Sequence, residues 1–296
     1  MTDPGITYLG IDMGGTASRW VLLTASGAEV ARGAAPGATG LIGDAGHRSA
    51  FVAALESLRA ALPCAPLRAH LGVTGAGFTR DPAVTALCAR ALGLAPAQVS
   101  HENDMELAYR AAFGAARGHL VLAGTGSVGM TRLPDGTALI IGGHGALIDD
   151  GGSASWIALR ALRAVLRRMD EGAPPSLLAQ HLFDAVGGTG WEAVRRHVYA
   201  GDRGRIGLLA RSVAAAAAGG DTEARALLIA AATELERLAR ILIARAGPAP
   251  LVFTGGALAL GPEIRETLTS LLAAQAPQFR QADTALAAAR HASENI

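Results

Sequence analysis

The chain contains no lysine; all 26 of its basic residues are arginine. A G-x-x-x-x-G-K-[ST] phosphate loop, which depends on lysine, is therefore excluded. The arginine bias and the abundant alanine read as compositional drift toward GC-rich codons. Cysteine is scarce too: Cys64 and Cys88 form no C-x-x-C pair and have no histidine at ligand spacing. That argues against zinc, an intramolecular iron–sulfur cluster and a disulfide framework, and fits a reducing cytoplasm. Neither sign of charge dominates, with 26 basic and 25 acidic residues and a net charge of +1, so there is no footprint for nucleic acid or an anionic membrane. Apolar runs such as V-A-A-A-A-A (213–218) fall well short of the ~20 residues that span a bilayer. The opening M-T-D-P-G-I-T has an acid where a signal peptide needs an apolar core, and a soluble cytoplasmic protein is expected.

Half of the 296 residues are hydrophobic and 17% are charged, the balance of a folded chain. The length suits two domains of about 100–200 residues. Apolar runs at 8–12 and 19–23 flank a Gly-Gly turn and read as strands, with another at 29–33. Phe51, Val52, Leu55 and Leu58 are spaced for a helix over 49–61. A strand at 69–73 ends in T-G-A-G, a helix over 82–92 closes at Gly93, and a strand at 98–102 leads to a helix opened by Asp104. The pattern then restarts, with strand, glycine turn and strand over 119–132 and a third strand near 138–141. Helices follow over 156–169, 175–185, 191–199, 206–218 and 222–246. A last strand at 250–254 meets Gly255-Gly256 and a helix, and a final helix lies near 285–293. Two halves that open alike indicate an internal duplication. The expected domains are 1–117 and 118–296, with the last helix a candidate to pack back on the first. No low-complexity linker separates them, so a shared cleft is expected.

Three glycine turns carry the chemistry. The first, Asp12-Met13-Gly14-Gly15-Thr16, leads into a strand. Successive glycines let backbone N–H groups converge on an anion with no Cβ in the way. Thr16 adds a hydroxyl donor, and Asp12 offers oxygen to a hydrated Mg²⁺. Taken alone, this turn reads better as an ordinary tight hairpin than as a phosphate cradle. The second, Gly124-Thr125-Gly126-Ser127, repeats the chemistry, and two such turns in corresponding places suit a grip on one polyphosphate. The third, Thr254-Gly255-Gly256-Ala257, ends a buried strand, where glycine admits a flat ring or a ribose. A plain strand-to-helix turn stays open there.

Strand–D-x-G-G-T–strand, then G-T-G-S, then T-G-G before a helix resembles the ordered set of the actin-like ATPase and sugar kinase superfamily. L-V-L-A-G-T-G-S-V-G (120–129), H-G-A-L-I-D-D-G-G-S-A-S-W-I-A (144–158) and H-E-N-D (101–104) resemble more closely the N-acetylglucosamine/glucosamine kinase group, the BadF/BadG/BcrA/BcrD-type ATPases. The resemblance covers nearly the whole chain. It implies an α/β fold of two ribonuclease-H-like (actin-like ATPase) domains flanking a nucleotide cleft. It implies ATP against Gly14, Gly15, Thr16, Gly124, Thr125, Gly126, Ser127, Gly255 and Gly256, with Mg²⁺ at Asp12. The activity it implies is an ATP-dependent kinase for glucosamine or N-acetylglucosamine, with that sugar near Thr74, Gly75, Asp104, Thr125, Gly145 and Asp150. A homodimer is compatible with all of this.

In that reading Asp104 is the carboxylate that orients the sugar hydroxyl and takes its proton. A helix N-cap is the other role open to it. Asp150 matches the acid of the family's D-E-G-S segment. Asp149 stands at the family's glycine and Gly151 at its glutamate, and either aspartate is also a candidate helix cap. Ala17 stands where many relatives have Lys or Arg, with Arg19 the candidate replacement. Ala38 stands where the N-acetylglucosamine kinases have asparagine, and His144 where the family often has tryptophan. Two alternatives follow. One is an activator of acyl-CoA dehydratases, whose cluster-binding cysteines lie in the second domain, whereas both cysteines here lie in the first half. The other is a non-catalytic sugar or nucleotide sensor. A glucokinase of the repressor/open-reading-frame/kinase group is disfavoured, because its cysteine-rich zinc loop is missing.

Overall fold

Tight turns join the first three strands, β1 (Thr7–Met13), β2 (Ala17–Thr24) and β3 (Glu29–Pro36), into an antiparallel meander. After α1 (Ala45–Ala60), strand β4 (Arg68–Val73) lies parallel to β1. After α2 (Pro82–Leu92), strand β5 (Val99–Asn103) lies parallel to β4 and leads directly into α3 (Asp104–Phe113). The sheet order is β3-β2-β1-β4-β5. Local signals set the helix ends. Asp44 and Asp81 cap α1 and α2 by accepting the amides of His47 and Ala83, each at 2.8 Å, and Pro82 opens α2. Alternation along β1 sends Leu9, Ile11 and Met13 into one core with Phe51, Leu55, Leu58, Val84 and Cys88.

The same path is then repeated. β6 (His119–Ala123), β7 (Ser127–Arg132) and β8 (Ala138–Gly142) form a second antiparallel meander. Six helices follow: α4 (Ala154–Asp170), α5 (Leu177–Val186), α6 (Trp191–Tyr199), α7 (Arg203–Leu208), α8 (Ala210–Ala218) and α9 (Thr222–Ala246). Strand β9 (Leu251–Thr254) then adds parallel to β6 and, after α10 (Pro262–Leu271), β10 (Gln278–Phe279) adds parallel to β9. The order β10-β9-β6-β7-β8 matches the first sheet strand for strand. This is the duplicated ribonuclease-H-like α/β architecture. Val121, Ala123 and Phe253 of the sheet share a core with Ile157 of α4 and Leu228 and Leu235 of α9.

The computed structural model describes residues 5–200 and 203–294. It divides into two units: one runs to Ala115 and resumes at Ala282, and the other is Ala116–Gln281. The resumed segment is α11 (Thr284–Glu294). Its Ala285 and Ala289 pack on Val21 and Leu23, on the face of the first sheet opposite α1 and α2. Gly10 permits this contact, since a Cβ there would collide with the Ala285 carbonyl and the Ala289 amide.

Two expected helices differ. The one over 206–218 is broken at Leu209, whose amide bonds Ile206 in a tighter turn, at 3.1 Å. The break lets Gly207 lie against Thr125 and Ala154. The helix expected directly after Gly255-Gly256 is a 3₁₀ turn, Gly256–Ala259, before α10. Among the described residues no helix is long and apolar enough to cross a membrane.

Candidate active site

β1, β4 and β5 run parallel, so their C-terminal ends open on one sheet edge, the usual place for ligands in such sheets. Asp12 is the last residue but one of β1, Thr74 follows β4 and Asp104 follows β5. Asp104 is the first residue of α3, yet the N-cap is Asn103. Asn103 Oδ1 accepts the Met105 amide at 2.9 Å, and Glu106 accepts the Asn103 amide at 3.3 Å. The Met105 amide also reaches Asp104 Oδ1 at 3.0 Å. The other oxygen, Oδ2, accepts the Thr74 hydroxyl at 2.6 Å.

The loop at 36–40 straps this edge together. Ala38 donates its amide to the Gly14 carbonyl at 3.0 Å, and Gly40 donates to the Thr74 carbonyl at 2.8 Å. The Thr39 hydroxyl reaches that same Thr74 carbonyl at 3.3 Å. Ala38 itself is buried. In the first turn the Gly14 amide is committed to the Ala17 carbonyl at 3.2 Å, which closes the hairpin. Gly15 and Thr16 are exposed at its tip.

Asp12 is half-buried, and burial pushes its carboxyl above the usual range. The Thr284 hydroxyl, 2.6 Å from Oδ2, opposes that rise, Asp104 adds to it, and Arg19 pulls the other way. Arg19 lies directly across the ladder from Asp12, exposed, on the same face as Ala17. Among the described residues no three His, Cys, Asp or Glu side chains group as a metal cage. A single carboxylate with a second one near it suits Mg²⁺, which keeps several waters and binds through one or two carboxylates and substrate phosphates.

In the second unit the turn at Gly124 is anchored to the start of α4. The Ala154 amide donates to the Gly124 carbonyl at 2.9 Å, and the Ser155 hydroxyl donates to the Thr125 carbonyl at 2.6 Å. Gly124 and Gly126 close the turn on each other through a 2.9 Å amide–carbonyl bond. Ser127 is buried, with its hydroxyl given to the Gly151 carbonyl at 2.7 Å. Asp150 is buried behind the turn, where Oδ1 accepts the Gly145 amide at 3.2 Å. A Cβ on Gly126 would stand 2.8 Å from Asp150 Oδ2. Asp149 is bound instead to Arg237 of α9, at 3.1 Å. Neither aspartate caps α4, because Ser153 does, accepting the Trp156 amide at 3.1 Å. His144 is exposed.

Gly255, at φ +109°, abuts the end of β6, where any Cβ would strike the Ala123 carbonyl. The second and third turns are therefore neighbours on one sheet edge, and Gly256 is exposed beside them. Thr254 ends β9 with Gly255 next, whereas Thr74-Gly75 follows β4. Two features of the first unit have no local sequence signal. They are the 36–40 strap and the bond from Thr284, which lies 272 residues from Asp12 in sequence.

Residues 9–281 match the model of the BadF/BadG/BcrA/BcrD ATPase family. The chain belongs to this family. ATP is accordingly its nucleotide. Within the family's reach, an N-acetylmuramic acid/N-acetylglucosamine kinase of Clostridium acetobutylicum is 29% identical over 167 residues. That match takes in 56% of this chain and 54% of the relative, so the chain spans about half the length of this curated relative. A solved structure from Chromobacterium violaceum, named as a candidate N-acetylglucosamine kinase, is 28% identical with a TM-score of 0.78. The comparison covers 98% of this chain and 100% of that one. A second structure so named, from Porphyromonas gingivalis, has a TM-score of 0.75 over 97% of this chain and 99% of its own. Its 17% identity speaks for the fold alone.

Proposed function

We propose that this BadF-family chain transfers the γ-phosphoryl group of ATP to a hydroxyl of an amino sugar of the glucosamine or N-acetylglucosamine class. The observation that supports this most is the Asp104 carboxylate. It stands directly after β5 at the ligand-binding edge of the sheet, as the first residue of α3, with Asn103 as the helix cap and Thr74 holding Oδ2. A carboxylate so held can orient a hydroxyl and accept its proton. The sugar oxygen then bonds to the γ-phosphorus as the bond to the bridging oxygen breaks. ADP leaves with the electron pair, and the hydroxyl proton passes to Asp104.

The remaining assignments follow from the turns. Exposed Gly15 and Thr16 offer backbone and hydroxyl donors to phosphate in the first unit. In the second, Thr125 and Gly126 offer the same, and Gly124 and Ser127 frame the turn, because the Gly124 amide is taken by the Gly126 carbonyl and the Ser127 hydroxyl by the Gly151 carbonyl. Gly255 and Gly256 face the nucleoside. Mg²⁺ held through Asp12 neutralises charge on the phosphates when it is bound. Thr74, Gly75, Thr125, Gly145 and Asp150 are the sugar-side contacts. The named activity of the Clostridium acetobutylicum and Chromobacterium violaceum relatives supports the same substrate class. The activator alternative is disfavoured because Cys88 lies wholly in the core of the first unit, where burial pushes its thiol up to about 12.

Incubating the protein with ATP, Mg²⁺ and a panel of amino sugars tests the proposal. Sugar-stimulated ADP release by at least one of them is expected. Sugar binding with no ADP release from any member would favour a sensor instead.

A further inference from the structure

Asp12 is gripped by a residue from the far end of the chain. Thr284 Oγ donates to Asp12 Oδ2 at 2.6 Å, and Thr284 is the first residue of α11. Among the described residues the second oxygen of Asp12 takes no hydrogen bond. The hydroxyl is not needed to start the helix, because the preceding Asp283 does that, accepting the Leu286 amide at 3.0 Å. The other oxygen of Asp283 takes Arg32 of β3 at 2.9 Å. Farther along, the bare backbone of Gly10 receives Ala285 and Ala289. Two contacts to the sheet, Arg32 with Asp283 and Gly10 with Ala285 and Ala289, thus fix where the Thr284 hydroxyl stands.

We infer that Thr284 is a positioning residue that aims the free oxygen of Asp12 at the divalent cation of the bound nucleotide. The inference rests on the assignment of Asp12 to that cation. A half-buried carboxylate beside Asp104 has reason to turn away, and one short bond to Oδ2 fixes both its rotamer and the oxygen it presents. Residues that orient a metal ligand typically change metal affinity 10- to 100-fold when removed. The placement also gives α11 a use beyond covering the sheet, because the chain re-enters the first unit at Ala282, two residues before this contact.

Calorimetric titration of ADP, with Mg²⁺ and with chelator, separates the possibilities without any turnover. In the wild type, Mg²⁺ should strengthen ADP binding. Thr284→Val, which keeps the shape and removes the hydroxyl, should cut that strengthening about tenfold while leaving metal-free ADP binding unchanged. Thr284→Ser should restore it. A wild-type strengthening that survives whole in Thr284→Val overturns this inference alone. Equal losses with and without Mg²⁺, not rescued by serine, overturn it in favour of a packing role. Wild-type binding that ignores Mg²⁺ overturns the Asp12 assignment and this inference with it.

Discussion

The hydroxyl of Thr74 donates to Asp104 Oδ2 at 2.6 Å across 30 residues of sequence, joining the loop after β4 to the strand end after β5. The Thr74 amide is in turn held by the Met13 carbonyl at 3.0 Å, so the proposed base is referenced to the strand that carries Asp12. Removing the hydroxyl frees the carboxylate to rotate without removing it. Thr74→Val should lower kcat about tenfold with a small change in the KM for ATP, and Thr74→Ser should keep most activity. Steady-state kinetics of the three proteins checks this.

Arg19 is the cation that faces Asp12 across the β1–β2 ladder, in a chain with no lysine and with Ala17 at the first position of β2. A hydrogen bond to a charged group is worth about 1.5–3 kcal/mol. Arg19→Ala should therefore weaken binding of a non-hydrolysable ATP analogue about tenfold or more. Adding Ala17→Arg, on the same face and nearer the turn, should recover part of the loss. Equilibrium titration of the two variants decides it.

Beneath the site, Glu102 accepts Arg110 Nε and Nη2 at 2.8 Å each and meets His70 Nε2 at 3.0 Å. His70 also stacks edge-on against His291 of α11, 4.4 Å between centroids. Breaking such a buried pair from one side costs about 3–5 kcal/mol, and Glu102→Ala should show a loss of that order in chemical denaturation.

The same cluster sets an acid limit on stability. Burial acts to raise the Glu102 pKa, but its bonds to Arg110 and His70 bring it down to about 2. That stability is present above the ordinary carboxylate value near 4.5 and is lost as pH falls through it toward 2. Burial, then His70 and Arg110, lowers His291 to about 4. Its folded form resists protonation, so stability is also lost as pH falls from about 6.5 toward 4. Melting temperature should fall in two stages between pH 7 and pH 3, and His291→Phe should flatten the upper stage.

Gly10 carries the seat of α11, and Gly10→Val would force backbone apart where a Cβ already collides. Overpacking typically costs about 1–3 kcal/mol, and this contact with rigid backbone should reach the upper end. A lowered melting temperature together with weaker Mg²⁺ dependence of ADP binding is expected, because Thr284 rides on the same helix.

Much of this was legible because it is local. The D-M-G-G-T and G-T-G-S turns sit between alternating apolar runs, and the repeat of that unit announced the duplicated sheet order. Asp104 was visible as an acid at a strand end, but that Asn103 takes the N-cap position was not, since Asn103 and Asp104 are equally good caps by type. Leu209 gave no sign of the break between α7 and α8, which brings Gly207 against Thr125, a residue far earlier in the sequence. Ser127 reads as a hydroxyl donor in sequence, yet its side chain turns inward to Gly151. Thr284 was out of reach for the same reason: nothing near it in sequence reports on Asp12.

In the proposed function, Asp104 accepts the proton in phosphoryl transfer from ATP to an amino sugar. Phosphorus NMR of reactions containing ATP, Mg²⁺ and glucosamine or N-acetylglucosamine tests it most directly, with wild type and Asp104→Asn side by side. The wild type should give a sugar phosphate signal with at least one of the two sugars. Asp104→Asn should be at least about 100-fold slower, with ADP affinity and melting temperature unchanged. A sugar phosphate formed at the wild-type rate by Asp104→Asn, or none formed by the wild type with either sugar, would contradict it.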